Sequence, residues 1–233
     1  MAFFTLYQKG HWGVFGSLVV AKRIKLGYTR LRKPNHNELC QRGLMDAAEQ
    51  KVCAWAMNHP LEREYHDQEW GVPVHNDTKL FEFLTLEGAQ AGLSWITILK
   101  KREGYCQAFE EYDLQRLAQY DDSRVEHIIA HYDVVKHRGK IASVFSNARA
   151  ALALQQEFGS LDAALWQFVG SQPKVNHWQN MSEVPASTEE SKAMSKFLKK
   201  RGFKFVGETI CYAFMQAVGM VNDHLVGCPN RQA

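Results

Sequence analysis

A chain of 233 residues with 45% hydrophobic and 23% charged residues can bury a sizeable core, and reads as one globular domain or a compact pair of subdomains. Its formal charge of +3 is unevenly spread, because residues 1–44 hold eight Lys or Arg against Glu38 alone (+7), leaving −4 for residues 45–233. A slightly acidic body excludes binding to nucleic acid through a global field and leaves only local basic patches for it.

Along the chain, residues 1–44 mix Gly, bases and scattered aromatics, with a turn signal at Pro34-Asn35-His36-Asn37. The apolar stretch from Trp12 to Ala21 has about half the length of a membrane span. Lys9 before it gives a passing likeness to a signal peptide, but no small-residue cleavage pattern follows. The expectation is a cytoplasmic protein with no membrane association. Regular text begins at Met45, which reads as the functional start, with residues 1–44 an extension dispensable for activity and residues 45–233 the working domain.

Asp77 reads as the cap of a helix whose Leu80, Phe83, Leu84 and Glu87 share one face. Ser94 reads as the cap of the next, with Trp95, Ile98, Leu99 and Arg102 recurring. Asp113 precedes Leu114 and Leu117; Asp122 or Ser123 precedes Val125, Ile128 and Ile129. A long helix is expected from about Gly139 to Phe158, and a shorter one from Leu161 to Phe168. Residues 171–186, with Pro173 and Pro185, read as a loop, and Ser187 with Glu190 as a capping box. That helix ends near Arg201-Gly202, and a last one runs from Gly207 to Gly219. No stretch has convincing strand alternation, so the fold class is all-α.

Three constellations carry chemistry. The five cysteines, Cys40, Cys53, Cys106, Cys211 and Cys228, are odd in number and far apart, which argues against a disulfide scaffold. Cys106 and Cys211 read as buried thiols. Cys53 and His66 near one end of the body, with His224 and Cys228 near the other, make up the ligand set of a closed tetrahedral zinc site, although their spacing alone leaves coincidence open. Glu87 projects from an apolar helix face, where a carboxylate needs a partner. Either a salt bridge with a buried Arg or the cap of another helix answers that need, or Glu87 floors an aromatic pocket walled by Trp55, Tyr65, Trp70 and Trp95. The stretch Leu198 to Gly207 joins two helices by a turn with glycines and bases, which fits a phosphate grip or a merely solvated helix end. The clusters Lys100-Lys101-Arg102 and Lys136 to Lys140 read as solvated surface.

Tyr65-His66-Asp67-Gln68-Glu69-Trp70-Gly71-Val72-Pro73, the Leu86 to Trp95 segment, His137 to Ile141, Lys199 to Gly207 and Asn222 to Cys228 together resemble DNA-3-methyladenine glycosylase I, a family of helix-hairpin-helix glycosylases. The resemblance runs from about Cys53 to Cys228. It implies an all-α helix-hairpin-helix glycosylase fold in which one structural zinc ion, held by Cys53, His66, His224 and Cys228, joins the N- and C-terminal segments. It implies that Glu87 is the catalytic carboxylate of the base pocket, with Trp95 stacking on the extruded base and Tyr65 and Trp55 beside it. It assigns DNA contacts to Leu93, Lys200, Arg201, Gly202, Lys204 and Gly207. Glu62 departs from the pattern, standing where relatives can carry an aromatic residue. The expected activity is monofunctional removal of 3-methyladenine from alkylated double-stranded DNA by a monomer. Base flipping would bring the lesion to the pocket, and no lysine nucleophile is needed.

Overall fold

The structure, a computed structural model, describes residues 52–231. The expectations for residues 1–44 and for Met45 lie outside the described residues. Its helices are α1 (Pro60–Gln68), α2 (Asp77–Gln90), α3 (Trp95–Leu99), α4 (Arg102–Ala108), α5 (Leu114–Leu117), α6 (Ser123–His131), α7 (Arg138–Phe158), α8 (Leu161–Trp166), α9 (Glu189–Lys200) and α10 (Glu208–Ala217). Among the described residues no helix is long and apolar enough to cross a membrane.

The middle of the fold is α2. Every residue from Leu80 to Ala89 is buried, and the helix packs against α3, α7, α8 and α10. A helix covered on so many sides carries apolar residues around most of its circumference, and the few polar ones it buries demand explanation. Behind it, the 21-residue α7 supports α5, α6 and α8 and ends at Gly159, whose φ of 87° terminates the helix. Helices α9 and α10 pack on each other as the two arms of a hairpin.

Several local expectations are corrected. Asn76, not Asp77, caps α2, its side chain accepting from Lys79 N. Asp77 instead accepts from the amides of Leu161 and Asp162, capping the far-removed α8. The capping box of α9 lies one residue later than predicted, on Thr188 and Ser191 rather than Ser187 and Glu190, because Thr188 is the residue with extended backbone. Ser94 stands at the N-cap of α3, but its hydroxyl meets Thr97 Oγ1 at 2.8 Å instead of a backbone amide. Loop 171–186 holds a short parallel pair, β1 (Lys174–Val175) with β2 (Val221–Asn222), too short for alternation to register in sequence. It ties the loop to the C-terminal segment. Cys211 is buried as expected, whereas Cys106 is only partly covered.

Two basic clusters are not simple solvated surface. Arg102 makes paired bonds to Glu69, at 2.6 and 2.7 Å, and a third to Glu82 at 2.7 Å. Lys140 donates from Nζ to the carbonyls of Ala89 and Ala91, at 2.9 and 2.6 Å. Those carbonyls end α2, where a cation is favoured by the helix dipole.

Candidate active site and metal cluster

Glu87 lies on α2 at the inner end of a cavity of about 180 Å³ lined by Trp55, Tyr65, Trp70, Gln90, Trp95 and Met181, with Ala213 and Gln216 from α10. The rings form a continuous wall. Trp55 stands 6.2 Å from Tyr65 and 5.1 Å from Trp70, and Tyr65 stands 5.1 Å from Trp95, centroid to centroid. Glu87 is 4% exposed, and among the described residues its Oε2 meets no hydrogen-bond partner; neither does the buried Nε1 of Trp95. Burial pushes the Glu87 carboxyl up to about 8. Among the described residues neither a salt bridge nor a helix cap answers Glu87. Arg102, which lines a neighbouring recess with Tyr65, is spent on Glu69 and Glu82. What remains is a carboxylate held among aromatic rings with an acceptor to spare. Such a site suits a flat ligand that is cationic and rich in N–H donors.

On the other side of the Trp55 and Tyr65 wall, Cys53, His66, His224 and Cys228 converge, all buried, with their ligand atoms within 4.8 Å of one another. His66 Nδ1 donates to Asp67 Oδ1 at 2.7 Å, and His224 Nε2 donates to the Trp70 carbonyl at 3.0 Å. Those bonds fix both tautomers and leave His66 Nε2 and His224 Nδ1 as bare acceptors facing each other at 3.1 Å. Cys228 Sγ stands 3.5 Å from both nitrogens, and Cys53 Sγ stands 3.9 Å from His224 Nδ1. Two lone pairs so placed repel unless a cation lies between them. Ligands of a tetrahedral zinc ion stand roughly 3.3–3.8 Å apart, so the cluster fits a closed four-ligand metal site. Burial holds His224 down to about 4, in the neutral form a metal needs.

The hairpin between α9 and α10 sits beside the pocket. At Gly88, next to Glu87, an added Cβ would meet the Phe205 carbonyl at 3.2 Å, so a side chain there would press the hairpin turn away from α2. Asn147 of α7 clamps that turn, its Oδ1 accepting from Lys204 N and its Nδ2 donating to Lys204 O. Gly202 turns the chain at φ 88°, and Gly207 caps α10 with no side chain over the first amides. Lys200 and Lys204 are exposed. Arg201 is engaged instead: it pairs with Glu157 at 2.8 Å and lies 3.7 Å over the Phe197 ring. A groove of about 270 Å³ runs from Thr209 and Ile210 of α10 past Leu93, Gly92 and Ala91 to Glu87. Leu93, 41% exposed, stands at its rim. A larger recess of about 650 Å³ elsewhere is lined by Asp77, Glu110, Glu111 and Asp113, an acidic surface without aromatic walls that would repel phosphate.

The family model for methyladenine glycosylase matches residues 55–232. The chain belongs to the methyladenine glycosylase family. It is 51% identical to DNA-3-methyladenine glycosylase 1 of Escherichia coli (strain K12) over 176 residues, 76% of this chain and 94% of that one. A solved crystal structure of 3-methyladenine DNA glycosylase I is 49% identical at a TM-score of 0.74, covering 77% of this chain and 98% of that one. The Staphylococcus aureus enzyme, solved for the structural basis of 3-methyladenine recognition, is 33% identical at a TM-score of 0.76, covering 79% of this chain and 98% of that one.

In this methyladenine glycosylase the sequence-predicted Glu87, Trp95, Tyr65 and Trp55 line one cavity, and Cys53, His66, His224 and Cys228 form one cluster. Leu93 lines one groove together with Thr209, which follows Gly207 by two residues. Sequence reasoning missed Gln90, Met181, Ala213 and Gln216 as pocket residues. Gln90 was findable, standing three residues after Glu87 on the same helix face. Glu62 is buried in the first turn of α1 but is not among the residues lining the cavity.

Proposed function

We propose that this chain is a monofunctional base-excision-repair glycosylase that flips 3-methyladenine out of alkylated double-stranded DNA and hydrolyses its N-glycosidic bond. The observation that carries the proposal is the buried, unpartnered Glu87 oxygen in an aromatic cavity. Methylation at N3 makes adenine cationic and a good leaving group, so selective capture matters more than acid catalysis. A cation arriving beside Glu87 offsets its burial and restores its charge, which then stabilises a transition state of oxocarbenium character. Trp95 and Trp55 offer ring faces to the base, and Tyr65 closes the wall between them. Among the described residues no lysine lines the cavity, so borohydride should trap no covalent adduct with DNA.

For the DNA we infer that the bare amides at the start of α10 hold a backbone phosphate, with Gly202 and Gly207 permitting close approach and Lys200 and Lys204 adding charge. Arg201, already paired, is expected to contribute less. Leu93 would fill the gap left by the flipped nucleotide. We infer further that Cys53, His66, His224 and Cys228 hold one structural zinc ion. A closed four-ligand set leaves no position for substrate, so the metal would supply folding energy and fix the Trp55 wall. The enzyme would work as a cytoplasmic monomer, and removal of residues 1–44 should leave activity intact.

Release of free 3-methyladenine from methylated duplex DNA, compared between wild type and Glu87→Ala, tests the proposal. A large loss in the variant is expected. No release by folded wild type would contradict it.

A further inference from the structure

Gln216 lines the same cavity as Glu87, and Asp223 lies behind it. Asp223 is 0% exposed and accepts four hydrogen bonds, all from neutral donors, two on one loop and two on α10. Its Oδ1 receives Asn176 Nδ2 at 2.7 Å and Trp178 Nε1 at 2.8 Å; its Oδ2 receives Tyr212 Oη at 2.6 Å and Gln216 Nε2 at 2.8 Å. A side-chain amide has two faces that differ only in donor and acceptor, and its orientation follows from its neighbours. A carboxylate accepts and never donates, so the group turned toward Asp223 is the NH2. The carbonyl Oε1 is therefore left for the cavity, and no donor among the described residues meets it. Three further donors hold Asp223 in place, so the amide cannot turn over without losing a bond to a buried carboxylate.

Resting on the glycosylase reading above, we infer that Gln216 is a specificity-determining residue that reads position 6 of the extruded base. Together with Glu87 Oε2 it makes the pocket a pair of acceptors. Adenine carries an NH2 donor at position 6, whereas guanine carries a carbonyl acceptor there. The first meets Gln216 Oε1 with a hydrogen bond. The second sets oxygen against oxygen, in a site walled by aromatic rings. Asp223 acts through Gln216 by fixing which atom faces the base. The pocket would thus reject 3-methylguanine by charge pattern rather than by size.

Gln216→Met keeps the length of the side chain and removes the acceptor; Gln216→Asn withdraws the carbonyl by one methylene and serves if the first variant melts early. Free 3-methyladenine and free 3-methylguanine are titrated against each protein by tryptophan fluorescence, and release of both bases from methylated duplex DNA is followed by chromatography. Losing the hydrogen bond should weaken binding of the neutral free 3-methyladenine by up to about 10-fold, and release of the base that is cationic in DNA by about 10- to 100-fold. Binding of 3-methylguanine should hold or improve, so that the ratio between the bases narrows. An equal loss for both bases would make Gln216 merely structural, and no loss for either would mean it makes no contact; each result overturns the inference. Wild type that binds 3-methyladenine but releases neither base would instead contradict the glycosylase reading, and the free-base ratio would still decide the role of Gln216. Wild type that binds neither base overturns both.

Discussion

Tyr65 and His66 are consecutive residues of α1, and one lines the aromatic cavity while the other turns Nε2 into the Cys/His cluster. The same coupling recurs at the start of the described chain, where Cys53 caps the short helical turn that carries Trp55. Two cavity walls are therefore one or two residues from cluster ligands.

From this follows a prediction for metal removal. One zinc ion per chain should be found by elemental analysis, and cobalt substitution should give the spectrum of a closed thiolate site. Stripping the metal, or Cys228→Ser, should lower the melting temperature by many degrees and weaken 3-methyladenine binding together. Binding that survives metal loss unchanged would uncouple the cluster from the pocket.

Glu87 should leave a signature in stability as well as activity. Its carboxyl is raised by burial from 4.5 to about 8. Between those values the folded chain keeps a proton that the unfolded chain releases, so stability falls as pH rises through that window. The penalty approaches the order of 4 kcal/mol above pH 8. Glu87→Gln, permanently neutral, should melt near wild type at pH 5 and several degrees above it at pH 8.5. Equal melting differences at both pH values would contradict the raised carboxyl.

The helical text of the chain was legible because it is periodic: the long α7, the α9 end at Arg201-Gly202 and the apolar face carrying Glu87 all follow from local spacing. The Cys/His set was legible as chemistry, since two thiols and two imidazoles have few other uses together. What escaped is what depends on distant partners. Nothing near Asp77 says that its carboxylate caps a helix more than eighty residues away. Arg102 looked exposed among its lysine neighbours because Glu69 and Glu82 come from other helices. Met181 and Gln216 enter the pocket from a loop and from α10, and neither has a local signal.

Arg102 underlies the Tyr65 side of the pocket through its bonds to Glu69 and Glu82 and its position 5.4 Å over the Phe83 ring. Arg102→Met would leave two carboxylates, largely screened from water, with Lys79 as their one remaining cation among the described residues. A loss of about 2–3 kcal/mol is expected, discounted from a fully buried pair because the arginine side chain is 23% exposed. Urea titration measures it, and a loss under 0.5 kcal/mol would mean that water already solvates the network.

Lys140 should matter to DNA and not to the free base. Its ammonium holds the Ala89 and Ala91 carbonyls, immediately before Gly92 and Leu93. Lys140→Met frees the loop at the groove rim while leaving the cavity walls in place. Release from duplex DNA should drop about tenfold, the scale of a lost charged hydrogen bond, with free 3-methyladenine binding unchanged. Parallel losses in both assays would point to a general folding defect.

Glu87 is proposed as the carboxylate that captures a cationic flipped base. Single-turnover release of 3-methyladenine from duplex DNA, by wild type and Glu87→Gln from pH 5.5 to 8.5, tests it most directly. Wild-type efficiency should rise toward the carboxyl value of about 8 and then level. Glu87→Gln should be slower by about 100-fold or more, the scale of one removed electrostatic contact in a transition state, and should show no such rise. A Glu87→Gln enzyme as fast as wild type, with the same pH profile, would contradict it.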